Sequence, residues 1–284
     1  MLKTVNKYLK LVKFSHTIFA MPFALVGFFL AFESYKPSAW IFLFIVLCMI
    51  FARNAAMGFN RYLDSEIDKK NPRTANREVP AGVISGKNAL IFVIINSILF
   101  VITTWLINIL VLALSPIALF VVLFYSYTKR FTPLCHFVLG IGLALAPIGA
   151  YLAVSSSFNW VPVILSLVVF LWVSGFDIIY AMQDYEFDTK ENLKSIPVFI
   201  GQKGSLILST ILHIIASVLV VLIGFMFNFH WLYWVGAAVF IALLFYQHTL
   251  VKVNDLSKVN LAFFTTNGVG SLIFGIITIV SILI

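Results

Sequence analysis

Asn60, Asp64 and Asp68 stand four residues apart in the stretch NRYLDSEID, residues 60–68, where a long apolar run ends. The spacing i, i+4, i+8 keeps three oxygen-bearing side chains near one face of a helix. Oxygen ligands gathered in this way suit a hard divalent cation. A second acidic stretch, DIIYAMQDYEFD at 177–188, carries Asp177, Asp184 and Asp188 at i, i+7 and i+11. A continuous helix would place these three and Tyr180 on one face. Carboxylates brought together without a cation repel one another, and Mg²⁺ removes that conflict. It takes one or two protein carboxylates and completes its shell with water and phosphate oxygens. Arg73, Arg77, Lys129 and Arg130 lie close by in the chain and have the charge to hold a phosphate-bearing substrate directly. The chemistry suggested is Mg²⁺-assisted handling of a phosphorylated molecule.

Arg53 precedes Asn60 by seven residues, and Asp177 precedes Asp184 by seven. Each therefore sits about two turns deeper than its cluster. An ionisable side chain at membrane depth is a functional candidate that should have a partner. The matching depths predict that Arg53 and Asp177 approach each other as a polar pocket floor. Glu66 points away from its neighbours and reads as solvated. Lys69 and Lys70 read as topology residues, and His16 and His136 as packing or interfacial residues.

The elements that must carry these residues are membrane helices. The 284 residues are 62% hydrophobic and 11% charged, with a mean hydropathy of +1.05. That composition excludes an ordinary soluble domain. Apolar runs long enough to cross a bilayer, about 20 residues each, recur nine times. They fall at 15–33, 39–60, 88–108, 110–127, 134–153, 161–182, 205–227, 231–249 and 260–282, with the third and fourth separated at Asn108. No polar module interrupts them, so the chain reads as a single membrane domain, 1–284.

Charge supports this division. With a cytoplasmic N-terminus, all of the 19 basic residues except Lys36 and Arg53 fall on one side, as the positive-inside rule requires. All of the 11 acidic residues except Glu33 and Asp255 fall in the two clusters on that same side. The expected location is the plasma (inner) membrane, with the site opening to the cytoplasm and the C-terminus on the opposite face. The net charge of +8 is then a topology signal and needs no nucleic-acid partner. The first apolar run reads as a retained helix rather than a cleaved signal, because no small-residue cleavage site follows it. Cys48 and Cys135 have neither disulfide nor zinc spacing.

These residues resemble the UbiA-type intramembrane aromatic prenyltransferases along nearly the whole chain. The first family motif, NxxxDxxxD, is matched by Asn60, Asp64 and Asp68; the second, DxxxD, by Asp184 and Asp188. Between them Tyr125 and Lys129 match a YxxxK element, and RTANREVPAG at 73–82 is similar to the loop after the first motif. The resemblance implies an all-α bundle of nine helices around a central cavity that opens to the cytoplasm and laterally to lipid. It also implies that Asn60, Asp64, Asp68, Asp184 and Asp188 bind two Mg²⁺ ions and through them a polyprenyl diphosphate. Arg73, Arg77 and Lys129 look like diphosphate contacts, while Arg53 and Asp177 match positions lining an aromatic-acceptor pocket. The implied reaction begins with ionisation of the diphosphate and ends with attack by the ring carbon ortho to a phenolic hydroxyl. Asp177 would polarise the phenol, Arg53 would orient the acceptor's carboxylate, and Tyr125 and Tyr180 would shield the cation.

Two features depart from the commonest hydroxybenzoate enzymes: Asn60-Arg61 in place of Asn-Asp, and Lys13 in place of arginine. They resemble a branch associated with menaquinone through 1,4-dihydroxy-6-naphthoate. The implied acceptor is thus a 4-hydroxybenzoate-type acid for quinone biosynthesis, with the dihydroxynaphthoate as the alternative. Acceptors such as a porphyrin, a chlorin or a glycerol phosphate are further readings of the same chemistry. A cation-coupled transporter is the competing class, but it would keep its charges near the midplane and show internal repeats.

Overall fold

The computed structural model describes residues 2–12 and 19–284; Lys13 and His16 lie outside the described residues. The architecture is helical: α1 (Leu2–Leu11), α2 (Met21–Tyr35), α3 (Ala39–Leu63), α4 (Ser65–Lys70), α5 (Gly86–Ile107), α6 (Ile109–Thr128), α7 (Cys135–Ser155), α8 (Trp160–Ala181), α9 (Tyr185–Lys190), α10 (Ile196–Phe227), α11 (Trp231–Leu250) and α12 (Asn267–Leu283). Among the described residues eight helical segments are long and apolar enough to cross a membrane, and α2 is a shorter apolar helix. The eight correspond to the second to ninth predicted runs, and α2 falls in the described part of the first. Helices dominate because lipid offers the backbone no hydrogen-bond partners, so each segment must satisfy its own.

The division at Asn108 has a local cause. Its backbone is extended (φ −164°, ψ 166°), and its side-chain Oδ1 accepts from Val111 N–H at 2.8 Å. One residue thus ends α5 and caps α6. Two boundaries differ from the sequence reading. α10 begins at Ile196 rather than 205, because Gly201 (φ 74°, ψ 167°) absorbs a kink between two helical pieces. Lys203, expected in a loop, is therefore helical. The last span opens with a π-helical turn, Leu261–Thr266. There Asn267 Nδ2 takes the Ala262 and Phe263 carbonyls at 3.0 and 3.2 Å, and a side chain inserted into the helical ladder widens it.

The helices form two compact units, one of α1 and Ala39–Tyr127, the other of Phe19–Ser38 and Thr128–Ile284. In the first, α3 packs on α5 with Gly58 against Phe92 and Val93. Asn54 Nδ2 donates to Asn96 Oδ1 at 3.0 Å, a polar link of the kind that joins apolar helices for about 1 kcal/mol. The lysine-bearing α1 closes one end of this unit. Its Tyr8 stacks on Phe92, with centroids 4.9 Å apart, beside buried Leu11, Val79, Ile84 and Ala89.

The second unit is centred on α8, whose Trp172 is fully buried with Phe23, Phe240 and Phe274 around it. Small residues allow its helices to approach closely. A Cβ on Gly27 would lie 2.1 Å from Pro147 O, one on Gly140 2.3 Å from Ser174 Oγ, and one on Gly175 2.3 Å from His213 Nε2. A polar network then ties four elements together. Trp172 Nε1 donates to Asn267 Oδ1 at 2.8 Å, and Asn267 Nδ2 donates to Gln247 Oε1 at 3.1 Å. His213 joins His248 at 2.8 Å and the Trp172 carbonyl at 3.1 Å. Burying these groups in hydrocarbon is tolerable only because they satisfy one another.

Candidate active site

In the first unit the acidic cluster forms where α3 gives way to α4. Asp64 leaves helical geometry (φ −88°, ψ 3°). The ladder nevertheless continues through it, Asp64 N–H to Asn60 O at 2.9 Å and Asp68 N–H to Asp64 O at 2.7 Å. Asn60, Asp64 and Asp68 therefore keep nearly helical register across the junction. Asn60 Nδ2 donates to Asp64 Oδ2 at 2.9 Å, which leaves the Asn60 amide oxygen as an acceptor. Asp64 and Asp68 are buried, 1% and 4% exposed.

The loop after α4 folds back onto them. Thr74 Oγ1 donates to the Asp68 carbonyl at 3.2 Å, Arg77 N–H to Thr74 O at 3.0 Å, and Arg73 N–H to Asn71 Oδ1 at 2.9 Å. Gly82 supplies the left-handed backbone (φ 73°) that turns the loop, and Val79 and Ile84 anchor it in the core. These turns bring Arg77 Nη1 to both Asp68 oxygens, at 2.9 and 2.8 Å. Arg73 extends from the same loop and is exposed. Glu66 points outward as expected and pairs with Lys69 at 2.7 Å.

Arg61 corrects the sequence reading. It was counted with the loop cations, yet it is only 3% exposed and lies within the field of Asp68, Glu78, Arg77 and Tyr125. Its place in the last turn of α3, next to Asn60, was the signal available. Arg53 is half-buried on α3 and Tyr125 half-buried on α6.

In the second unit α8 stops at Ala181, a 3₁₀ turn spans Met182–Asp184, and α9 resumes at Tyr185. A 3₁₀ turn thus interrupts the α-helix expected to carry Asp177, Asp184 and Asp188, within one helical segment that runs Trp160–Lys190. Asp188 lies within the field of Asp184 and of the Lys129 ammonium. Lys129 is fixed through its backbone, since its carbonyl accepts from Lys194 N–H at 2.6 Å. Arg130 follows it, half-buried. Tyr180 stacks on Phe263 with centroids 4.1 Å apart, part of an aromatic group with Phe19, Phe176 and Phe264.

Asp177 has a partner that the sequence reading did not assign. Its Oδ2 accepts from His136 Nδ1 at 2.7 Å. His136 had been read as a packing residue. The available signal was a polar ring at the start of an apolar run, a few residues after the basic pair at 129–130.

Within either unit no three His, Cys, Asp or Glu side chains of the described residues converge into a ready metal cage. Each cluster instead offers a pair of carboxylates, and the first adds an amide oxygen. That all-oxygen donor set fits Mg²⁺, which keeps open positions for water and phosphate.

The molecule is thus a polytopic helical membrane protein whose acids and bases gather at helix ends. Residues 20–269 match the sequence model of the UbiA prenyltransferase family. The 4-hydroxybenzoate octaprenyltransferase of Aliivibrio fischeri (strain MJ11) is 32% identical over 241 residues, 84% of this chain and 83% of that protein. The enzyme of the same name from Vesicomyosocius okutanii subsp. Calyptogena okutanii (strain HA) is 31% identical over 249 residues, covering 87% and 89%. Among solved structures, an apo UbiA homolog from Aeropyrum pernix K1 aligns with a TM-score of 0.81 at 30% identity over 94% of this chain and 97% of that one. A UbiA homolog from Archaeoglobus fulgidus bound to DMAPP and Mg²⁺ has the same fold, with a TM-score of 0.76 at 22% identity over 98% and 99% of the two chains. The chain belongs to the UbiA prenyltransferase family and is an enzyme of that transferase class.

Proposed function

We propose that this enzyme transfers a polyprenyl group from polyprenyl diphosphate to a ring carbon of a hydroxylated aromatic acid of the 4-hydroxybenzoate type, in quinone biosynthesis. The observation that carries the reading is the clasp of Arg77 on Asp68. It joins an anion-binding loop to a buried carboxylate cluster, the combination that a metal-bound diphosphate requires. The names of the curated relatives support the acceptor, and the titles of the archaeal structures, with DMAPP or GPP and Mg²⁺, support the donor and the metal.

Asn60, Asp64 and Asp68 would hold one Mg²⁺, and Asp184 and Asp188 a second. Bound Mg²⁺ neutralises the diphosphate and makes it a better leaving group. Arg73, Arg77, Lys129 and Arg130 bind its oxygens and stabilise the charge that grows there as the allylic C–O bond breaks with its electron pair. Tyr125 and Tyr180, the latter backed by Phe263, present aromatic faces that favour the allylic cation and keep water from it. Arg53 orients the acceptor through its carboxylate. Asp177 accepts a hydrogen bond from the phenol and so enriches the ortho carbon. The C–C bond forms there, and the ortho hydrogen leaves as a proton to the newly released diphosphate, restoring the ring.

The whole chain works as one membrane domain. It lies in the plasma (inner) membrane with its N-terminus and site opening in the cytoplasm and its C-terminus opposite; the one-sided lysines and arginines support this. A second reading, with 1,4-dihydroxy-6-naphthoate as acceptor, is favoured by Arg61, buried beside Asn60 where the commonest hydroxybenzoate enzymes carry aspartate. Purified protein in detergent, supplied with Mg²⁺ and labelled polyprenyl diphosphate, tests both with the two acceptors in separate reactions. Prenylated product that disappears on adding EDTA is the expected result. Folded protein yielding no product from either acceptor overturns the reading.

A further inference from the structure

His136 sits in the first turn of α7, 3% exposed, and both ring nitrogens are engaged. Nδ1 lies 2.7 Å from Asp177 Oδ2 on α8. Nε2 faces the backbone N–H of Ile196 at 3.4 Å. Ile196 is the first residue of α10, so its N–H has no acceptor within the helix. Because a backbone N–H can only donate, Nε2 must be the acceptor. The ring proton is therefore on Nδ1 and is donated to Asp177.

The ring is held by its surroundings. Ser174 Oγ approaches the His136 carbonyl at 3.4 Å. One turn along α7, Gly140 lets α8 come so near that a Cβ would lie 2.3 Å from Ser174 Oγ. His136 thus joins the start of α7, the acid-bearing stretch of α8 and the start of α10. A carboxylate with Oδ2 held in this way cannot swing freely, and its second oxygen, Oδ1, can accept from one further donor.

We propose that His136 is a positioning residue for the aromatic acceptor: by donating to Oδ2 it fixes Asp177 so that Oδ1 receives the phenolic hydrogen. This rests on the acceptor reading above. The capping contact to Ile196 alone would make His136 a scaffold residue, and the two contacts can be separated by substitution. Asparagine retains a donor near the Nδ1 position. Glutamine reaches the Nε2 position and retains an acceptor for Ile196.

The test compares His136→Asn, His136→Gln and wild type in detergent with Mg²⁺, polyprenyl diphosphate and whichever acceptor the wild type uses. The three readouts are kcat/KM for the acceptor, KM for the diphosphate and the melting temperature. His136→Gln should lose about tenfold or more in acceptor kcat/KM, the scale of a hydrogen bond to a charged group, with the diphosphate KM unchanged. His136→Asn should recover most of that loss. The reverse order, equal behaviour of the two variants, or failure of both to fold assigns His136 to the scaffold and overturns the proposal. A folded wild type that turns over neither acceptor overturns the acceptor reading and this inference with it; an active wild type with the wrong variant order overturns this inference alone.

Discussion

Arg77 and Asp68, nine residues apart in the chain, meet through a single guanidinium nitrogen that reaches both carboxylate oxygens at 2.9 and 2.8 Å. The side chain of the acid is 5% exposed and that of the base 21%. Arg77→Ala leaves that carboxylate without its cation, a loss of about 1–3 kcal/mol to be read as a lower melting temperature. A divalent cation at Asp68 takes over part of the same role, so millimolar Mg²⁺ should raise the variant's melting temperature more than the wild type's. Equal gains would remove Asp68 from the metal ligands.

Asp64→Asn and Asp184→Asn change one charge each at nearly constant shape. Asp64 is buried against Asn60, and an asparagine there can still accept from the same amide. Both variants should fold as well as wild type by thermal melting and lose about a hundredfold or more in turnover, the scale seen when one electrostatic contact to the leaving charge is removed. Near-full activity with Mg²⁺ in either would break the two-metal reading.

Arg53 lies on α3 seven residues before Asn60, away from the diphosphate loop in sequence. Arg53→Ala should raise the acceptor KM by about tenfold, a charge-assisted hydrogen bond's worth, and leave the diphosphate KM unchanged. Steady-state kinetics with each substrate varied in turn make the distinction. Unchanged acceptor kinetics reassign Arg53 to structure.

Gly27 is tested by stability alone. A methyl group there would meet the Pro147 carbonyl at 2.1 Å, and backbone cannot step aside as a flexible side chain does. Gly27→Ala should push α2 off α7 and cost about 1–3 kcal/mol, lowering the melting temperature. Gly86→Ala is the control: its new methyl meets only the Tyr62 ring, at 3.7 Å, and should be close to neutral.

Much of the architecture was legible in the chain because a bilayer makes one-dimensional demands. Each crossing needs about 20 apolar residues and each loop declares its side by its lysines and arginines, so the nine runs, the break at Asn108 and the placing of the acids at helix ends could be read without coordinates. The register of Asn60, Asp64 and Asp68 was legible too, since it depends on a single helix and its continuation. Local devices were not legible: the 3₁₀ turn at Met182–Asp184 interrupts the α-helix that carries the second acidic stretch, and Gly201 carries α10 past a stretch that reads as a loop.

What the sequence by itself determined, then, was an all-helical membrane fold, roughly where its apolar helices run, and which acids and bases collect at their ends. The tertiary structure alone decided who meets whom: His136 with Asp177 across 41 positions, Arg77 with Asp68 through a folded loop, Arg61 drawn into the buried cluster, and Asn267 with Trp172 across 95. The reason is physical. Helices that are apolar on every face carry no stripe to say which side turns inward, and in lipid their pairing rests on close packing at small residues and on a few polar contacts. Those depend on three-dimensional fit, which no linear pattern records.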